Sequence, residues 1–219
     1  MKKRTIIRLS IISIFISLIY TFVVYFGIDR YIKLQLIDGN SLIKNYSKLE
    51  ETGCDRVVIS FTTTPERLSK IKPMILSLLD QTLKVDEIAL SIPYGKYEIP
   101  EYLKDVVTIY YYSIDYGTAG NLVPCVLRER EGDTKIILVA DNVIYGKDFI
   151  ERIIEESENS PRKCVSINDL SCKNGILITP DFFDQSFSSN NDCKNCIQWL
   201  RTKLTTGIIN VKYSENYKY

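Results

Sequence analysis

The 219-residue sequence predicts an α/β fold on a mixed, mostly parallel sheet flanked by helices, with one membrane-spanning helix ahead of it. Short β-branched runs alternate with segments of helical period, the pattern of βαβ units joined by right-handed crossovers. One run, Lys135 to Ala140 (KIILVA), is apolar almost throughout, as expected of a strand buried on both faces. Near the start, Leu9 to Ile28 is apolar apart from Ser and Thr. Roughly 20 such residues rising ~1.5 Å each cross a hydrocarbon core of about 30 Å.

Taken in order, residues 1–8 form a short tail carrying Lys2, Lys3, Arg4 and Arg8, residues 9–28 the span, residues 29–52 a stem, and residues 53–219 the folded domain. The positive-inside bias places the N-terminus in the cytosol and everything after the span in a lumen or outside the cell. A cleaved signal peptide fits less well. Its apolar region runs to about 7 to 15 residues, and no small-x-small site follows Ile28. The stem shows no clean period and reads either as a linker or as an amphipathic lead-in. It contains the glycosylation sequon Asn45-Tyr46-Ser47.

After Gly53 the pattern sharpens. Arg56 to Phe61 (RVVISF) reads as a strand, Thr62-Thr63-Thr64-Pro65 as a turn, and Leu68, Ile71, Ile75, Leu78 and Leu79 as one face of a helix. Pro73 should kink that helix or mark its restart. Asp86 to Ile92 and Val106 to Tyr112 give the next strands, and Asn121 to Glu129 a helix. Asp148 to Asn159 has Phe149, Ile153 and Ile154 on one face, so its glutamates form a solvated face. Lys163 to Asn168, Ile176 to Thr179 and Ile208 to Tyr213 complete the strands, with a helix over Asp192 to Leu204.

The composition removes several kinds of chemistry. Lys plus Arg (28) and Asp plus Glu (27) nearly cancel, leaving no basic footprint for a nucleic acid. With no histidine, a Ser-His-Asp triad, a Cys-His dyad and a histidine-held metal are all excluded. Six cysteines in a lumenal domain favour disulfides, Cys164 to Cys172 or Cys193 to Cys196, ahead of buried thiols. Zinc ranks last because only one pair has the short spacing such sites prefer.

In open parallel sheets ligands lie at the carboxyl ends of the strands, here Thr62 to Arg67, Ser113 to Asn121 and Asp141 to Tyr145. The segments SFTTTPERLSKIKPMILSLLDQTLKVDEIALSIP, DYGTAGNLVPCV and IILVADNVIYG, in that order, resemble glycosyltransferases of the GT-A fold related to the family 2 enzymes. The resemblance covers about Val57 to Asn159. It implies a GT-A (Rossmann-like nucleotide-diphospho-sugar transferase) domain that moves a sugar from a nucleotide-sugar donor to a glycan, lipid or protein acceptor.

By the same resemblance, Thr62, Thr63, Thr64, Arg67, Asp115, Gly117 and Asn121 line the nucleotide-sugar pocket. Asp141 and Asn142 stand at the family's acidic motif, which holds a divalent cation (Mn or Mg) against the diphosphate. This sequence reads Ala140-Asp141-Asn142 there, so Asp141 is the sole anion, and Asn121 replaces the usual lysine. Asp192 matches the place of the catalytic base that takes the acceptor proton. Plainer readings stand beside these. Asp-Asn after a strand is a common turn, Thr64-Pro65-Glu66-Arg67 can simply start a helix, and Asp192 is a good N-cap. The degenerate motif also suits a domain that has lost catalysis and serves as a glycan-binding or partner-docking module. A disulfide-braced ectodomain without a ligand explains the anchor and cysteines but not the ordered motifs.

Overall fold

The computed structural model describes residues 2–25, 27–53, 56–95, 97–114, 116–129, 133–161, 163–167, 175–183, 208–211 and 217–218. The chain divides into two compact units, Met1–Asp38 and Gly39–Tyr219.

In the first unit, helix α1 (Lys2–Tyr25) contains the stretch Ile6–Tyr25, with a mean hydropathy of 2.2 and none of it buried. By length and composition it is a candidate membrane span. Gly27 then takes a left-handed φ of 64°, open to glycine without penalty, and starts α2 (Ile28–Leu36).

The second unit begins earlier than the Gly53 boundary expected from the sequence. Helix α3 (Gly39–Tyr46) buries Leu42 and packs on α5 (Lys72–Leu79), and the Tyr46 hydroxyl accepts a bond from the Val85 N–H at 3.0 Å. Burial pushes the Tyr46 phenol up to about 12. Eight residues with no visible period thus form a helix because a single Leu and a single Tyr find seats on the domain.

The central sheet has seven strands: β1 (Val57–Phe61), β2 (Glu87–Pro93), β3 (Thr108–Tyr112), β4 (Lys135–Leu138), β6 (Cys164–Ile167), β7 (Ile176–Ile178) and β8 (Ile208–Val211), in the order β3-β2-β1-β4-β7-β6-β8. A short antiparallel pair, β5 (Val143–Ile144) with β9 (Tyr217–Lys218), stands apart. Strands β1 to β4 are mutually parallel in this order, with Ile59 opposite both Ile88 and Ile137. Strand β7 runs antiparallel to β4 and β6, which makes the sheet mixed. All five residues of β1 are buried, as is expected of a strand covered on both faces, whereas the edge strand β3 has none fully buried.

Helix α4 (Pro65–Leu68) ends after one turn, and α5 restarts with Pro73 in its first turn, where a missing N–H is harmless. The restart predicted at Pro73 is therefore what forms. Helices α6 (Glu101–Lys104) and α7 (Val123–Arg128) precede β3 and β4, and α8 (Phe149–Asn159) buries Phe149, Ile150, Ile153 and Ile154. Glu151, Glu155 and Glu158 of α8 are exposed, as the amphipathic pattern requires. The helix expected over Asp192 to Leu204 lies outside the described residues.

Candidate functional site

The chain runs from β1 outward to β2 and β3, then returns to place β4 on the other side of β1. The carboxyl ends of β1 and β4 thus flank a topological switch point, where crossovers diverge and leave a crevice. A cleft of about 570 Å³ opens there, lined by Thr62, Thr63, Thr64, Arg67, Gly117 and Asp141 from the predicted set, and by Pro65, Glu66, Pro93, Tyr97 and Tyr112. That volume falls in the range of small-molecule sites, about 300 to 1,000 Å³.

Two turns fix the polar wall. After β1, Thr64 is extended at the N-cap of α4 and Pro65 opens the helix, which carries Arg67 back toward the strand ends. After β4, the buried Tyr145 holds the turn from below. Its hydroxyl accepts the Ala140 N–H at 2.8 Å, its own N–H donates to Ser77 Oγ at 3.0 Å, and its ring packs on Phe149 at 4.5 Å between centroids. Asp141 is thereby presented to Arg67 and Thr63. The Arg67 Nε and the Thr63 hydroxyl both donate to the same oxygen, Asp141 Oδ2, each at 2.7 Å. Thr63 is 5% exposed and the Asp141 side chain 16%, so the anchor is largely shielded, while Arg67 remains 37% exposed toward solvent. The two terminal amino groups of Arg67 bond to none of the described residues.

Glu66 is the other described acid of the cleft. It is fully exposed, and bonds from the Thr64 hydroxyl and its own N–H hold its carboxyl below the usual range.

The floor depends on glycine. Gly117 has φ 54° in a short 3-10 turn over Gly117–Ala119, which favours glycine. At Gly120 a Cβ would lie 2.3 Å from Tyr112 Oη, 3.0 Å from Thr62 Oγ1 and 3.2 Å from the Gly117 carbonyl. Gly120→Ala must therefore swing Tyr112 aside and reshape the cleft. We expect a loss of about 1 to 3 kcal/mol in stability, read as a lower thermal midpoint, with weakened ligand binding. An unchanged midpoint and unchanged binding would show that Tyr112 moves freely.

The structure does not bring every predicted residue to this cleft. Asn121 is buried, its backbone carbonyl accepting the Ser60 hydroxyl at 2.5 Å and its amide reaching the Val139 carbonyl at 3.5 Å. Asn142 is half-buried and does not line the cleft. Asp115 and Asp192 lie outside the described residues. Pro93, Tyr112 and Gly120 were legible in principle, since two end strands and the third lies in the loop searched after β3. Tyr97 had no such signal.

A divalent cation is implied by the acidic motif of the glycosyltransferases that the sequence resembles, and the described residues do not fit one. No group of three His, Cys, Asp or Glu side chains stands close enough to hold a metal among them. Asp141 Oδ2 already accepts two bonds, one from a guanidinium whose charge offsets the field that would attract a cation. A dication there would meet the guanidinium's repulsion as well as the carboxylate's attraction, so the ion pair holds it more weakly than a lone carboxylate would.

Of the cysteines, Cys125 is a buried free thiol pushed up to about 11 by burial, and Cys164 is buried on β6. Cys54, Cys172, Cys193 and Cys196 lie outside the described residues, and with them both expected bridges.

Sequence comparison finds no matching protein family and no matching curated protein. Structural comparison finds a mannosyltransferase of Pyrobaculum calidifontis, solved with GDP-Man and Mn2+. The two share 10% identity with a TM-score of 0.50, over 90% of this chain and 67% of the other. At that identity the likeness concerns the fold, a glycosyltransferase-like mixed α/β domain.

Proposed function

We propose that the domain is a membrane-anchored glycosyltransferase that binds a nucleotide-sugar donor in the cleft at the carboxyl ends of β1 and β4. The observation that carries this reading is the convergence of Thr62, Thr63, Thr64, Arg67, Gly117 and Asp141 on one cleft at the switch point. Residues far apart in sequence meet there, in the order the motifs predict. Arg67 supplies a cation for the diphosphate and the threonine hydroxyls supply donors and acceptors for ribose or phosphate. Tyr97 and Tyr112 offer aromatic faces against which a base can stack. Asp115, two positions before Gly117 in the sequence, is assigned to base or ribose, and Asn121 is buried against the Ser60 hydroxyl and the Val139 carbonyl.

In the transfer the bond between the sugar's anomeric carbon and the diphosphate oxygen breaks, and a bond to the acceptor oxygen forms. The acceptor proton passes to a base, assigned to Asp192, and the nucleoside diphosphate leaves with the bonding electron pair. An Asp192→Asn change should leave donor affinity unaltered and depress transfer. The anchor is residues 9–28, with the domain on the side opposite the cationic tail. Protease added to sealed membranes should spare everything after Gly53, and digestion without detergent would reverse that orientation.

The direct test incubates the full-length protein in detergent with UDP-, GDP- and dTDP-sugars and measures release of the nucleoside diphosphate. Release with at least one donor, above a heat-inactivated control, is expected. Binding without release would favour the glycan-binding or docking module. Absence of both binding and release would end the donor reading.

A further inference from the structure

We infer that this cleft holds a nucleoside diphosphate without a divalent cation, the Arg67 guanidinium taking the place of the metal and Asp141 acting as the residue that positions it. The inference rests on the donor reading above and concerns how the diphosphate charge is met.

Two facts combine. The carboxylate at the strand end does not stand alone: its Oδ2 accepts the Arg67 Nε and the Thr63 hydroxyl, each at 2.7 Å. Using Nε for that anchor leaves the two terminal amino groups, which bond to none of the described residues, on a side chain that lines the cleft and is 37% exposed. A planar guanidinium gripped on its Nε edge presents its other edge in a fixed direction, and that edge carries two parallel N–H donors spaced for two phosphate oxygens. Thr63 is buried and Asp141 largely so, so the anchor is held by packing and the orientation does not have to be found anew on binding. The loss of the acidic neighbours at Ala140 and Asn142 then has a consistent physical sense. Extra carboxylates would repel the diphosphate once no cation stood between them.

Asp141 accordingly acts through Arg67. Removing it frees the guanidinium to rotate and to be hydrated, which weakens contact with a diphosphate and leaves contact with the nucleoside unchanged.

The test is a titration of the full-length protein in detergent with UDP, GDP and their nucleosides, first in EDTA and then with excess manganese. Affinity for the better nucleotide should agree within about twofold between the two conditions. Arg67→Ala should weaken it by about tenfold or more in both. Asp141→Asn should weaken it severalfold, with no change for uridine or guanosine and no additional loss when combined with Arg67→Ala. Arg67→Lys, which keeps the charge but not the two-pronged edge, should fall between wild type and Arg67→Ala. Thermal midpoints of the variants identify any that fail to fold, and the wild-type comparison needs no variant.

Binding that disappears in EDTA, returns with manganese and is lost in Asp141→Asn would place a metal on Asp141. This inference would then fall while the donor reading stood. Metal-independent binding that ignores Arg67→Ala would also overturn it. If neither nucleotide binds under either condition, the donor reading falls as well.

Discussion

Replacing Gly175 by alanine should destabilise the domain by about 3 kcal/mol, lowering the thermal midpoint by roughly 6 to 12 °C. Gly175 sits just before β7 at φ 108°, a backbone region that residues with a Cβ rarely adopt. Added to this, a Cβ there would lie 2.5 Å from Phe149 Cζ and 2.6 Å from its Cε2. That ring cannot step aside cheaply. It is 1% exposed, packed at a tilt against the Tyr145 ring and fixed at the start of α8. Because Tyr145 also holds the Ala140 N–H, the disturbance should reach Asp141 and weaken nucleotide binding. Circular dichroism on heating checks the first effect and the UDP and GDP titration the second. A midpoint within 2 °C of wild type would mean that the loop ahead of β7 accommodates the change.

The second large effect is expected at the opposite end of the sheet. Glu129, 9% exposed, accepts Arg56 Nε at 2.9 Å and Arg128 Nε at 3.0 Å, while Glu87, 10% exposed, accepts Arg56 Nη2 at 2.5 Å and the Tyr110 hydroxyl at 2.7 Å. Arg128 closes the cluster by stacking on the Tyr110 ring at 3.7 Å. These five side chains tie the starts of β1 and β2 to β3 and to the end of α7. Glu129→Ala leaves two guanidiniums short of a partner, which for a buried pair costs about 3 to 5 kcal/mol. Arg56 is 38% exposed and water reaches it, so about 2 to 3 kcal/mol is the discounted expectation.

The pH dependence has a definite sign. Burial pushes the Glu129 carboxyl up, but bonds and charge from Arg56 and Arg128 together outweigh it and hold the carboxyl below its ordinary 4.5. A carboxyl depressed in the folded state contributes stability that is whole above the unfolded value and is lost as pH falls through the folded one. Glu129→Gln should therefore lower the midpoint at pH 7 and reduce its further decline below about pH 4.5. Parallel acid limbs for wild type and variant would show that Glu129 does not carry this dependence.

Strand content was legible wherever burial is decided by a run of neighbours. RVVISF, DEIALSI and KIILVA become β1, β2 and β4 within a residue or two at each end, because a β-branched apolar run has few alternatives to a two-sided buried strand. The same holds for the break at Pro73 and the amphipathic α8. Short elements were not legible. Strands β5 and β9 have two residues each and exist through pairing across the chain, Val143 with Lys218 and Ile144 with Tyr217. Helix α3 exists because Leu42 and the Tyr46 hydroxyl find partners on residues 72–85.

For the site, the sequence by itself determined which strand ends carry Thr62, Thr63, Thr64, Arg67, Gly117 and Asp141, and that a single carboxylate remains where the resembled family has several. These follow from local pattern and from the rule that strand ends in parallel sheets share one edge. Whether Asp141 faces a metal or a guanidinium was not decided locally. It depends on Arg67, in the first turn of α4, meeting a carboxylate 74 positions further along the chain that is held by Tyr145 from below. Asn121 shows the converse, a polar residue one position beyond the glycine floor that lies in the core, its backbone carbonyl accepting the Ser60 hydroxyl and its side-chain amide reaching the Val139 carbonyl. Periodicity reports which residues want burial, but the partner of a buried charge or amide is set by long-range packing, and only the tertiary structure fixes that.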